Sequence, residues 1–141
     1  MIVLDTNVVF EALKPVPAQA VLDWLDRQAP ETLYLTAVSL AELLAGIETL
    51  PKCRRRLELE QAMARQISPL FEGRILPFDV KAAEAFGKVR AGAQAVGNTI
   101  GFADGAIAAI AAARGFVLDT HNVRYFRGAG VGLINPWDPV E

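Results

Sequence analysis

The sequence is short of the residues that build the commonest soft-metal and thiol sites. It holds one cysteine, Cys53, and one histidine, His121, among 141 residues. A lone cysteine excludes an internal disulfide framework and suits a reducing cytoplasm. The same scarcity excludes metal centres built from clustered Cys and His, so any metal must be held by oxygen. No apolar run approaches the ~18–20 residues of a membrane span, and no signal peptide is expected ahead of the first hydrophobic run. A positive balance is missing too: 14 Lys and Arg face 16 Asp and Glu, a formal charge of −2. That balance gives no bulk attraction to a phosphate backbone and leaves room only for a local basic patch. One such patch is Lys52-Cys53-Arg54-Arg55-Arg56. It reads either as a local phosphate-backbone contact or as a solvated helix start answered by Glu58 and Glu60.

What is present points to a folded chain. With 52% hydrophobic and 21% charged residues, it is expected to form one domain, residues 1–141, with a proper core. Short apolar runs without alternation predict strands at Ile2–Leu4, Leu33–Leu35, Arg74–Pro77, Phe116–Leu118 and Val131–Ile134. Helical stripes fall between them: Pro17 to Gln28, Leu40 to Ile47 before Pro51, Arg54 to about Ser68 before Pro69, and Phe102 to Arg114 before Gly115. Asp79 predicts an N-cap for a further helix running to about Ala95. Strands alternating with helices imply an α/β fold, a three-layer α/β/α sandwich with a mostly parallel sheet of about five strands.

In open α/β sheets, ligands bind outside the carboxyl ends of the strands. Three acids fall where the chain leaves a strand or enters a helix: Asp5, Glu42 and Asp104. If they converge, their mutual repulsion calls for a cation, and oxygen ligands alone suit Mg²⁺ or Mn²⁺. Each also has a structural alternative. Asp5 can cap a helix beginning near Asn7. Ser39-Leu40-Ala41-Glu42 matches a capping box, and the macrodipole favours Asp104 in a first helical turn. Asp104 lies in an apolar run where an unpaired charge is costly. Thr6 and Asn7 after Asp5 are small polar groups able to orient a carboxylate or a water. Past the fourth strand, Thr120 and Asn122 are expected at the same sheet edge. Asn122 either offers an oxygen there or caps a helix over Val123–Phe126. Asp119 is expected to turn away from the pocket by strand alternation. A lone exposed histidine such as His121 is more often incidental than a general base.

Four segments, "IVLDTN", "AVSLAELLAGI", "FADGAIAAIA" and "THNVRYF", in that order and spacing, carry a resemblance over essentially the whole chain. The chain resembles the PIN-domain nucleases, and "GRILPFD" with "GVGLINPW" narrows the likeness to the VapC or FitB-like toxins of type II toxin–antitoxin pairs. The resemblance implies endoribonuclease activity with Mg²⁺ or Mn²⁺, homodimerisation and inhibition by a VapB-like antitoxin. It places metal ligands at Asp5, Glu42 and Asp104, a fourth catalytic position at Asn122, and supporting groups at Thr6, Asn7 and Thr120. Tyr125 stands where relatives commonly have an acid. Lys52, Arg54, Arg55, Arg56, Arg124 and Arg127 are the candidate RNA contacts. Exposed apolar residues between Leu40 and Phe71, such as Leu57 and Met63, are candidates for the antitoxin or subunit interface. A weaker alternative is an inactive PIN-like module that only docks antitoxin or a DNA complex. An aspartyl phosphotransferase fits poorly, because position 7 is Asn and the last lysine is Lys88.

Overall fold

The computed structural model describes residues 1–138. Five short strands form one sheet: β1 (Ile2–Leu4), β2 (Leu33–Thr36), β3 (Ile75–Leu76), β4 (Val117–Asp119) and β5 (Leu133–Ile134). Their order is β3-β2-β1-β4-β5 and every pairing is parallel. Parallel neighbours need crossover connections, which the helices supply. These are α1 (Thr6–Ala12), α2 (Gln19–Asp26), α3 (Ala37–Glu48), α4 (Arg54–Ala62), the single turn α5 (Ser68–Leu70), α6 (Val80–Ala95) and α7 (Phe102–Arg114).

Successive strand residues face opposite layers. Val3, Tyr34 and Leu118 pack with Ala82, Val89 and Ala93 of α6 and Ile107 to Ala111 of α7. Leu4, Leu33 and Leu35 pack on the other side with Val8 and Val9 of α1, Trp24 of α2, Leu43 and Ile47 of α3 and Leu59 of α4. The result is the expected three-layer α/β/α sandwich. The chain steps outward from β1 through β2 to β3, then returns to the other flank of β1 with β4. That reversal opens a crevice between β1 and β4 at the sheet's carboxyl edge.

Several boundaries differ from the sequence expectation. Helix α2 starts at Gln19, not Pro17, because the Ala18 N–H is taken by Glu11 Oε2 at 2.9 Å while Ala18 stays extended. The helix after Cys53 runs past Ser68 to Leu70. Its Met63–Ile67 stretch widens into a π-turn just before Pro69, which has no N–H to give to the preceding turn. Strand β4 is shifted by one residue and ends on Asp119. Residues Val123–Phe126 form turns rather than a helix. Met63 is buried in the core, so it offers no surface to a partner, whereas Leu57 is exposed. Helix α6 is capped by Asp79, whose Oδ1 accepts from Ala82 N–H at 3.0 Å, and α7 ends at Gly115 in the left-handed conformation.

Candidate active site

Asp5 leaves β1 and enters α1, directly at the crevice. Its side chain caps α1, with Oδ1 accepting from Thr6 N–H at 2.8 Å. Its second oxygen, Oδ2, accepts from the Thr120 hydroxyl at 2.7 Å and from the Asn7 amide at 3.1 Å. Asp5 N–H in turn donates to the Asp119 carbonyl at 2.9 Å, which ties the ends of β1 and β4 together. The capping and clustering readings of Asp5 are therefore compatible, since one carboxylate does both.

Glu42 sits one turn into α3. The local capping box does not form. Thr36, the last residue of β2, caps α3 instead, its hydroxyl accepting from Ser39 N–H at 2.9 Å. Glu42 is thus free to reach across to α1, where the Thr6 hydroxyl donates to its Oε1 at 2.6 Å. The Ser39 hydroxyl lies 2.9 Å from the same Thr6 oxygen and completes the chain. Asp104 enters from the first turn of α7.

The electrostatics show that these groups share one environment. Burial pushes the Asp5 carboxyl up to about 6; the Thr120 and Thr6 hydrogen bonds oppose this, and the charges of Asp104 and Glu42 add to it. Asp104 is raised mainly by burial and then by the charge of Glu42, with a hydrogen bond from Tyr125 acting the other way. Among the described residues no ion pair reaches any of the three; the basic partners found lie on Glu11, Glu48 and Glu60.

A model of the PIN domain matches residues 2–130. The chain is 45% identical to "VapC ribonuclease Y4jK" of Sinorhizobium fredii, over 99% of each chain. It is 40% identical to "Toxin FitB" of Neisseria gonorrhoeae, over 97% of this chain and 99% of that one. The chain belongs to the PIN-domain family. In three dimensions it superposes on a structure of FitAB bound to an IR36 DNA fragment with a TM-score of 0.94 and 39% identity, covering 100% of this chain and 99% of that one. Its place is with the VapC and FitB proteins of that family.

Other residues of this PIN domain complete the site or stand apart from it. Thr6, Asn7 and Thr120 all hydrogen-bond the carboxylates directly, as above. Asn122 follows in the turn after β4; its N–H donates to the Thr120 hydroxyl at 3.1 Å while its side chain is exposed. Tyr125 has a structural part that no local pattern foretells: its hydroxyl accepts from Gly101 N–H at 2.9 Å, and it works against the rise of the Asp104 carboxyl. It thereby holds the start of α7. His121 lies flat on Trp137, with ring centroids 4.2 Å apart and planes 13° from parallel.

Asp119 is fully buried, and neither of its oxygens has a hydrogen-bond partner. It pairs with Leu4 across the sheet and so faces the α1–α4 side, near enough to Asp5 for that charge to bear on it. Burial, with the charge of Asp5 behind it, pushes its carboxyl up to about 8. At neutral pH it is mostly a neutral acid. The Arg54–Arg56 patch is largely spent on the fold: Arg55 donates to the Leu13 carbonyl at 2.7 Å, and Arg56 bridges Glu48 at 3.0 Å and Glu60 at 3.3 Å. Arg54 and Arg124 are exposed.

The three uncompensated, oxygen-only carboxylates fit a hard divalent cation in their chemistry. Among the described residues, no three acidic, imidazole or thiol groups stand close enough to form a ready-made cage.

Proposed function

We propose that this PIN domain is a metal-dependent endoribonuclease, the toxin of a type II toxin–antitoxin pair acting in the cytoplasm. The observation that carries the reading is the trio Asp5, Glu42 and Asp104, mutually repelling and unpaired at the topological switch of a VapC/FitB-like fold. Asp5, Glu42 and Asp104 would hold Mg²⁺ or Mn²⁺, with Asn122 as the fourth, weaker group. Such an ion supplies charge neutralisation at the attacked phosphate and lowers the pKa of water.

The chain's own residues supply orientation. Thr120 and Asn7 fix the Asp5 carboxylate, Thr6 fixes Glu42, and Tyr125 holds the start of α7 that carries Asp104. Carboxylates locked this way need little reorganisation to meet a cation. Exposed Arg54 and Arg124 are left to contact the RNA backbone. The reading of an inactive docking module is not favoured, because a protein that only docked would gain nothing from keeping three repelling acids in register.

A VapB-like antitoxin is the partner, and a homodimer the assembly, that this reading carries. An apolar recess lined by Val9, Ala12, Leu25, Pro30, Leu70 and Phe71 is the surface proposed for an antitoxin segment.

The test is to incubate antitoxin-free protein with single-stranded and structured RNA in Mg²⁺, in Mn²⁺ or in EDTA, beside Asp5→Asn and Asp104→Asn. Cleavage requiring the metal and falling at least a hundredfold in both folded variants is the expected result. Cleavage at parental rates in either variant removes that acid from the site.

A further inference from the structure

Two segments far apart in sequence are tied together at the start of α7. The Asn98 side-chain amide donates to the Arg124 carbonyl and to the Arg127 carbonyl, each at 3.1 Å. Gly101 N–H donates to the Tyr125 hydroxyl at 2.9 Å. These bonds hold the connection between α6 and α7 against the turn that follows β4. That turn carries two exposed arginines, Arg124 and Arg127.

A recess of about 120 Å³ opens in this corner, lined by Arg90, Gln94, Asn98, Thr99 and Ile100. Arg90 makes no ion pair among the described residues. Its guanidinium lies 5.9 Å from the centroid of the Phe86 ring, one turn back along α6. An arginine resting on a ring face is held in place while its planar fork of N–H donors stays available. Gln94, four residues on, stands on the same face of the helix. Guanidinium, amide and hydroxyl groups gathered in one recess are donors suited to an anion, and a backbone phosphate accepts from all three kinds.

The chain itself bounds the distance from this recess to the acids. Thr99 to Gly101 can span at most about 7 Å, and Gly101 to Asp104 covers about 5 Å along the first turn of α7. Their backbones therefore lie within about 12 Å of each other. An RNA strand with one phosphate at the carboxylates reaches the recess with the phosphate of a nearby nucleotide. Three repelling acids and a net charge of −2 oppose such a strand. A cation fixed outside the trio offsets that repulsion.

We propose that the recess around Arg90 is a subsite for a non-scissile phosphate of the RNA backbone, with Arg90 as its cation and Thr99 beside it as a hydroxyl donor. The inference rests on the ribonuclease reading and deepens it, since it names where the strand is held rather than where it is cut.

The test has two arms, both with a single-stranded oligoribonucleotide in Mn²⁺. Cleavage by Arg90→Gln should show a KM raised about tenfold with kcat nearly unchanged. Binding is then followed by fluorescence anisotropy over a salt series, with Asp5→Asn added to every protein so that the strand stays whole. The slope of log affinity against log salt should fall by about 0.7 in Arg90→Gln, the loss of one phosphate contact on a single strand. Arg90→Lys, which keeps the charge, should restore the slope. Arg114→Gln, at the far end of α7, should leave both KM and slope unchanged. An Arg90→Gln protein with the parent's KM and slope overturns the proposal while leaving the ribonuclease reading intact. An equal loss in Arg114→Gln also overturns it, because the effect is then one of overall charge. A parent that neither binds nor cuts RNA ends both.

Discussion

Asp119 is the residue most at odds with its surroundings. A carboxyl at the end of a parallel strand, fully buried with both oxygens unpartnered, imposes a stability cost that depends on pH. Its folded value of about 8 lies well above the ordinary carboxylate value of 3.8. Below about pH 4 it is protonated in both states and the ionisation cost vanishes. Between there and pH 8 the unfolded chain releases the proton that the fold retains, so stability falls as pH rises, and above pH 8 the loss is complete. Asp119→Val, which suits a strand and removes the orphaned group, should stabilise the metal-free protein by about 1–3 kcal/mol at pH 8. The gain should shrink toward pH 5. Urea unfolding in EDTA at both pH values measures it, and an equal gain at the two would show that ionisation has no part. The sequence showed the acid but not its isolation, because nothing local says that Leu4 and Ile134 will be its neighbours.

At the scale of elements, helix α6 carries two glycines in opposite situations. A Cβ on Gly87 would meet nothing within 4 Å, whereas one on Gly92 would fall 2.2 Å from the Gly128 carbonyl oxygen. Gly92 lets α6 lie against the turn that follows β4, and Gly128 takes a φ of 84° there. Gly87→Ala should therefore stabilise by about 0.5–1 kcal/mol, the helix propensity difference alone. Gly92→Ala should lose that gain and more, a net destabilisation of about 1–3 kcal/mol by overpacking against backbone. Thermal unfolding of the pair checks both signs, and two stabilising substitutions would refute the close approach. Both glycines look alike as letters in an amphipathic helix. The start of α6 and the end of α7 were legible from Asp79 and Gly115, because caps are local chemistry. The π-turn at Met63–Ile67 was not, since those residues suit an α-helix equally well. The same holds for the site. Asp5, Glu42 and Asp104 could each be singled out from their places at element ends. The Thr6–Glu42 bond joins residues 36 apart, and it displaced the nearer Ser39 partner that spacing suggested. Tyr125, read as a missing acid, became visible as the acceptor for Gly101 N–H only once α7 was packed beside it.

Across the whole molecule, net charge is close to balanced, yet negative charge is concentrated where the sheet opens. The fold tolerates this by burying Asp5 under hydrogen bonds and leaving the repulsion among Asp5, Glu42 and Asp104 unrelieved. A cation that binds only the folded state would return that energy as stability, by about 2.7 kcal/mol at a concentration one hundred times its dissociation constant. Removing an acid should do the reverse trade. In EDTA, Asp104→Asn should be at least as stable as the parent, because one repelling, partly buried charge is gone. With Mn²⁺ added, the parent's Tm should climb with metal concentration while that of Asp104→Asn stays nearly flat. The climb should also fade as pH drops through about 6, where Asp5 takes up its proton and competes with the metal. Scanning calorimetry over a Mn²⁺ series at pH 5.5 and 7.5 reads all three effects without any RNA present. An equal rise in parent and variant would place the bound ion elsewhere on the chain. Stability spent at the crevice and recovered on metal binding is what separates a working acid cluster from three helix-end carboxylates that happen to be neighbours.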